Sequence, residues 1–149
     1  MNKMILLVED NPDDEALTLR AVRKHMPYGI MVARDGAEAL EFLFGKGCHV
    51  GRDLGNSPLL VLLDLKLPKV NGLEVLRRMR EDVRTRPIPV VVFTSSTEEQ
   101  DILDSYRLGA NSYIRKPVDY CQFCEDIKQA MRYWLFLNQL PPQRICSAA

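Results

Sequence analysis

Five short apolar runs recur along the chain: "MILLVE" at 4–9, "IMVA" at 30–33, "LLVLLD" at 59–64, "IPVVVF" at 88–93 and, more weakly, "SYI" at 112–114. Runs of this length, rich in β-branched residues and bounded by turn formers, predict buried strands. Between them the helical period dominates, over roughly 12–25, 37–45, 73–82, 98–108 and 120–138. The helix starts carry their own signals. Asp35-Gly-Ala-Glu38, Asn71-Gly-Leu-Glu74, Thr97-Glu-Glu-Gln100 and Asp119-Tyr-Cys-Gln122 each set a capping side chain three residues before Glu or Gln. Asn11-Pro12 places proline at the first helical position.

Strand and helix alternate five times, which predicts right-handed crossovers and a parallel sheet covered on both faces: a three-layer α/β sandwich. The Gly-rich stretch "GKGCHVGRDLGNSP" at 45–58 is expected to be an extended loop before the third strand. At 149 residues the chain supports one good core rather than two. Its 20 basic and 20 acidic residues cancel, which argues against an electrostatic nucleic-acid binder. No apolar run is long enough to cross a bilayer, and "MILLVED" meets acids too soon for a secretory signal, so a cytoplasmic protein is expected.

Open parallel sheets bind ligands beyond the carboxyl ends of their strands. Here those ends carry Glu9 and Asp10, Asp64, Thr94 with Ser95, and Lys116 shortly after the fifth run. Acids, a hydroxyl and a lysine converging there suit a phosphoryl acceptor, in which a carboxylate attacks phosphorus and cations neutralise the charge on the transferring oxygens. Mg²⁺ fits such an oxygen donor set, with Asp10 and Asp64 as side-chain ligands and Glu9 holding a metal-bound water. Lys116 would add a compact positive charge and Thr94 a hydroxyl donor.

Each residue also has a plainer reading. Asp13 and Asp14 are read as first-turn acids favoured by the helix dipole. Asp64 alone could be a turn acid leaving the sheet, and Lys116 a solvated loop lysine. Thr97 already has the capping spacing, which leaves Thr94 without that duty. It is the joint occurrence at successive strand ends that favours chemistry.

The segments "LLVEDNP" (6–12), "LLDLKLPKVNG" (62–72), "VVFTSS" (91–96) and "ANSYIRKP" (110–117) together resemble the receiver domain of two-component response regulators, the CheY-like family. The resemblance implies a flavodoxin-like, doubly wound fold with strand order 2-1-3-4-5, a receiver domain over 1–140, and a short tail over 141–149 with no output domain. It implies that Asp64 accepts phosphate from a sensor histidine kinase or phosphotransfer protein, and that Glu9, Asp10, Asp64 and the main-chain carbonyl of Lys66 hold Mg²⁺. Thr94 and Lys116 would bind the phosphoryl group. Thr94 and Tyr113 would form the switch, although Tyr113 also reads as an ordinary half-buried strand aromatic. The bond before Pro117 is expected to be cis. Lys66 and Ser96 would flank the site. A narrower likeness, carried by the long second loop, "NSYIRKP" and "YWLFLNQLPP" (133–142), is to single-domain regulators paired with bacterial and cyanobacterial phytochromes.

Such a module phosphorylates itself but turns over no separate substrate. An aspartate-nucleophile phosphohydrolase is the enzyme alternative, disfavoured because Lys66 stands where a second acid is usual. A phosphorylation-independent interaction module of the same fold is the other. On the last helix Phe123, Ile127, Ala130, Met131 and Trp134 form a core stripe. Tyr133, Phe136, Leu137 and Leu140 exceed it, which suggests a partner surface, for a homodimer on the face of the fourth helix, fifth strand and fifth helix or for a kinase or downstream protein, or else a fastening for the tail. Cys121 and Cys124 have C-x-x-C spacing, but with Cys48 and Cys146 they make no zinc set, and packing is their expected role.

Overall fold

The computed structural model describes residues 3–143. It comprises β1 (Met4–Val8), α1 (Pro12–His25), β2 (Gly29–Ala33), α2 (Gly36–Phe44), β3 (Val61–Leu63), α3 (Gly72–Glu81), β4 (Val90–Thr94), α4 (Glu99–Arg107), β5 (Ser112–Arg115) and α5 (Tyr120–Arg132), which continues into a π-helical turn, Tyr133–Leu137. All strand pairs are parallel, in the order β2-β1-β3-β4-β5, so the flavodoxin-like, doubly wound architecture is present.

Side chains alternate across the central strands, and this alternation divides the core in two. Ile5, Leu7, Leu62, Val91 and Phe93 face α1 and α5, meeting Val22, Phe123, Ile127 and Met131. Leu6, Val8, Val61, Leu63 and Val90 face α2 and α3, meeting Leu40, Leu43, Val75, Leu76 and Met79. α4 buries only Ser105 and leaves Leu103 and Tyr106 exposed.

Four of the five anticipated caps form. Asn11 accepts from Asp13 N and Asp14 N, Asp35 from Glu38 N, Asn71 from Glu74 N, and Asp119 from Gln122 N. Thr97 does not cap α4. The helix starts at Glu99, behind Glu98, which makes no side-chain cap bond. Ser96 has taken the role, with its Oγ accepting from Glu98 N and donating to Asp101 in the first turn.

Two other expectations change. The 45–58 segment is folded back rather than extended, with a 3₁₀ turn at Gly47–His49. Arg52 donates to the carbonyls of Phe42, Leu43, Asp53 and Asn56 and lies 4.1 Å over the Phe42 ring, closing the end of α2. The Lys116–Pro117 bond is trans, as are all the described peptide bonds; the two isomers of an X-Pro bond differ by only about 1 kcal/mol. On the last helix Trp134 is half-buried and packs against the core as the stripe predicts, and Leu135, in the π turn, is buried beside it.

Of the surplus apolar residues, Tyr133, Phe136 and Leu137 are exposed, whereas Leu140 packs on the core and Gln143 Nε2 donates to the Ser57 carbonyl. Cys48 and Cys121 are exposed free thiols, and Cys124 packs beside the α1/α5 core. Cys146 and the rest of 144–149 lie outside the described residues. No helix among them is long and apolar enough to cross a membrane.

Candidate phosphoryl-acceptor site

At the carboxyl edge of the sheet β1, β3 and β4 end side by side, with Val8 in register with Leu63 and Leu63 with Val92. The next residues therefore emerge together: Glu9 and Asp10 from β1, Asp64 from β3, and Thr94 closing β4. Asp64 keeps its strand-like pairing through its N–H to the Val8 carbonyl at 3.0 Å, so its side chain projects from a fixed backbone. Glu9, Asp64 and Thr94 are 2%, 6% and 0% exposed, which is unusual for acids and marks the floor of a crevice rather than a solvated rim. Asp10 stands above them, exposed.

Lys116 ties the floor together. Its Nζ lies 2.6 Å from Glu9 Oε1, 2.8 Å from Asp64 Oδ2 and 2.9 Å from Asp14 Oδ2. The chain arrives there through Lys116 N–H donating to the Thr94 carbonyl at 2.7 Å, which extends the β4–β5 ladder by one bond. Asp14 departs from its reading as a mere first-turn acid. Side chains of an α-helix tilt toward its N-terminus, and the start of α1 abuts the crevice, so an acid in the first turn reaches back into it.

The loop after Asp64 is braced by two glycines. A β-carbon on Gly72 would stand 2.2 Å from the Asp64 carbonyl oxygen, and one on Gly36 would stand 1.8 Å from the Val70 carbonyl oxygen. Only glycine permits either approach. Lys66 N–H donates to Asp64 Oδ1 at 3.3 Å, while the Lys66 side chain is exposed.

Burial is the largest influence on Glu9, and with the neighbouring Asp64 charge it outweighs Lys116, pushing the carboxyl up to about 8. Burial also acts to raise Asp64, but the Lys116 charge and hydrogen bonds from Lys116, Glu9 and Thr94 outweigh it and hold Asp64 below the usual carboxylate range. For Lys116 burial favours the neutral amine, yet its bonds to Asp64, Glu9 and Asp14 prevail and raise it. Near neutrality the floor thus holds an ionised Asp64, a protonated Glu9 within hydrogen-bond reach of it, and an ammonium.

One carboxylate oxygen from each of Glu9, Asp10 and Asp64 lies within 4.8 Å of the other two. Three hard oxygen donors on one wall suit a divalent cation that keeps some of its water. Tyr113 on β5, in register with Val92, donates its hydroxyl to the Ser96 carbonyl at 3.2 Å. Burial and, secondarily, Asp101 push its phenol up against the opposing effect of that bond. Every site residue named from the sequence is on or beside this edge. Asp14, Ser96 and Asp101 join them, and the first of these could have been found by asking where a first-turn side chain points.

A crevice of this composition on this sheet order defines a class of signalling receiver. The chain belongs to the response regulator receiver domain family, whose model matches residues 5–128. Among curated relatives, the probable methanogenesis regulatory protein FilR2 of Methanothrix harundinacea is 41% identical over 140 residues, 93% of this chain and 87% of that one. Among solved structures, the phosphorylated cyanobacterial phytochrome response regulator RcpA superposes with a TM-score of 0.89 at 38% identity, covering 95% of this chain and all of that one. The Mn²⁺-bound form of response regulator Rcp1 gives 0.88 at 34% identity, covering 94% and 99%.

Proposed function

We propose that this protein is the phosphoacceptor of a two-component relay, with Asp64 taking a phosphoryl group from a sensor histidine kinase or phosphotransfer protein. The observation that carries the reading is Lys116, whose buried ammonium touches Asp64 and Glu9 at once. An Asp64 oxygen attacks phosphorus as the phosphorus–nitrogen bond of the donor phosphohistidine breaks, the electron pair leaving on the imidazole. Lys116 neutralises charge on the phosphoryl oxygens, and the Thr94 hydroxyl turns from Asp64 to donate to one of them.

Glu9, through a water, with Asp10, Asp64 and the Lys66 carbonyl would hold Mg²⁺. The ion, when bound, supplies further charge neutralisation at the transferring group. The acidic wall fits it, and the Mn²⁺ held by Rcp1 supports a divalent ion here.

Thr94 and Tyr113 act as the switch. Occupation of Asp64 shifts the balance between two packings of α4, β5 and α5, and the surface they share carries the signal, to a second copy or another protein. Such a module turns over no separate substrate. The RcpA and Rcp1 likenesses support a phytochrome as the kinase, which would make the stimulus red and far-red light.

Incubation with acetyl phosphate and Mg²⁺, followed by mass measurement, tests the reading. One added phosphoryl group, lost in Asp64→Asn, is expected. Label on another residue, or none, overturns it.

A further inference from the structure

Ser96 is the point at which three parts of the switch region meet. Its N–H points to Thr94 Oγ1 at 3.4 Å, its carbonyl accepts the Tyr113 hydroxyl at 3.2 Å, and its Oγ donates to Asp101 Oδ2 at 2.5 Å while accepting Glu98 N–H at 3.3 Å. The residue is 3% exposed, so its hydroxyl has little water to fall back on. A hydroxyl-to-carboxylate bond of that length is of the strong, charge-assisted kind. It is also the side-chain fastening of the α4 start, since Glu98 caps nothing.

The consequence lies one step away, at the main chain. With Oγ held by Asp101 and the Glu98 amide, the Ser96 peptide is fixed at both ends, and its carbonyl faces β5 at the height of the Tyr113 hydroxyl. Remove Asp101's grip and that carbonyl is free to turn with the loop, and Tyr113 loses a fixed acceptor for its inward position. We propose that Asp101 is a positioning residue of the switch, which through Ser96 sets the main-chain carbonyl that holds the Tyr113 hydroxyl. Asp101 touches neither Asp64 nor the phosphoryl group. It acts on the balance between inward and outward Tyr113, and so on how readily the site accepts a phosphoryl group.

The inference rests on the receiver reading above, and the test keeps the two apart. The full chain, labelled with 3-fluorotyrosine, gives five ¹⁹F resonances, for Tyr28, Tyr106, Tyr113, Tyr120 and Tyr133, and Tyr113→Phe assigns the one of interest. Beryllofluoride with Mg²⁺ serves as the phosphoryl probe. Asp101→Ala and Ser96→Ala are each expected to move the Tyr113 resonance before any probe is added and to weaken beryllofluoride binding about tenfold, the scale of losing one strong hydrogen bond. The double variant should be no worse than Ser96→Ala, because that single change already removes the bond to Asp101. Asp101→Asn keeps an acceptor oxygen and should restore the resonance and most of the affinity.

A Tyr113 resonance unchanged in Asp101→Ala, additive single effects, or an Asp101→Asn variant as weak as Asp101→Ala overturns the positioning role. Wild-type protein that fails to bind beryllofluoride overturns the receiver reading instead. Urea unfolding of each variant separates a repositioned tyrosine from a loosened α4, since loss of fold alone would broaden all five resonances together.

Discussion

Lys116 Nζ bridges two buried acids, 2.6 Å from Glu9 and 2.8 Å from Asp64, so the lysine that would meet a phosphoryl group is also held by an acid that would not. Glu9 gives the ammonium a second hold on the floor of the crevice. In Lys116→Met the buried acids lose their cation. Breaking such a pair from one side costs about 3–5 kcal/mol, read as a lower urea midpoint at unchanged slope. Phosphorylation by acetyl phosphate should slow roughly a hundredfold, the scale of removing one preorganised charge partner. A variant labelled at the wild-type rate would place Lys116 outside the chemistry.

The proton on Glu9 gives the metal-free protein a characteristic pH response. In the unfolded chain this carboxyl titrates near 4.5, and in the folded protein near 8. Between those values the folded state holds a proton that the unfolded state releases, so stability falls as pH rises through the window, by an amount of order a few kcal/mol. Asp64, held low, works the other way: its contribution is present above its ordinary value of 3.8 and is lost as pH falls through its depressed folded value. Chemical denaturation from pH 4.5 to 8.5 should show the decline, and Glu9→Gln should flatten it. A divalent ion that draws on ionised Glu9 should bind more tightly as pH rises across the same range.

Gly72 bears directly on the reactive acid. Its missing β-carbon would fall 2.2 Å from the Asp64 carbonyl oxygen and 2.7 Å from the Leu65 α-carbon, both of them backbone atoms with nowhere to go. Gly72→Ala should therefore cost about 2–3 kcal/mol by overpacking. It should also displace Asp64 and slow its phosphorylation, even in the fraction that remains folded. Titration calorimetry of Mg²⁺, run alongside the unfolding curve, shows whether site and fold suffer together.

Arg80 fastens α3 to the segments that lead into β4 and β5. It donates to the carbonyls of Gly109, Arg86 and Ile88 and to Asn111 Oδ1, at 2.8–2.9 Å, and Asn111 Oδ1 also takes the Val90 N–H at 2.8 Å. Arg80→Ala leaves several of these groups unpaired and should cost about 2–4 kcal/mol. Amide exchange at Val90 and Asn111 should rise first, ahead of the β1–β3 centre.

The turn after α5 buries Leu135 and leaves Phe136 exposed and stacked on Tyr28. Leu135→Ala should cost about 2–4 kcal/mol as a buried truncation, while Phe136→Ala should cost no more than about 1 kcal/mol, read from urea midpoints. Equal losses at the two positions would mean that Leu135 is not part of the core.

The strands were legible because residues such as Leu62 and Val91 sit in unbroken apolar runs, and the topology rule then placed Asp64, Thr94 and Lys116 at one edge. What escaped the sequence depends on direction rather than on pattern. Asp14 enters the site because helical side chains lean backward. Thr97 has the right spacing for a cap but loses to Ser96, whose partner lies five residues on, at Asp101. Leu135 joins Trp134 on the core because the π turn holds both there, and such a turn leaves no mark in composition. The folded 45–58 segment depends on Arg52 finding carbonyls at the end of α2, a geometry that a Gly-rich stretch conceals. Arg80 joins partners 29 and 31 residues away, which no local window contains.

Lys116 and Asp14 are joined across 102 positions of sequence, and Lys116 and Asp64 across 52. The acids are therefore synthesised long before the base that neutralises them. A chain still emerging, with β5 not yet formed, presents carboxylates without their cation and is a poor acceptor. On the proposed function, competence to accept a phosphoryl group would arrive with the last strand, and acceptance would then report that the molecule has finished folding.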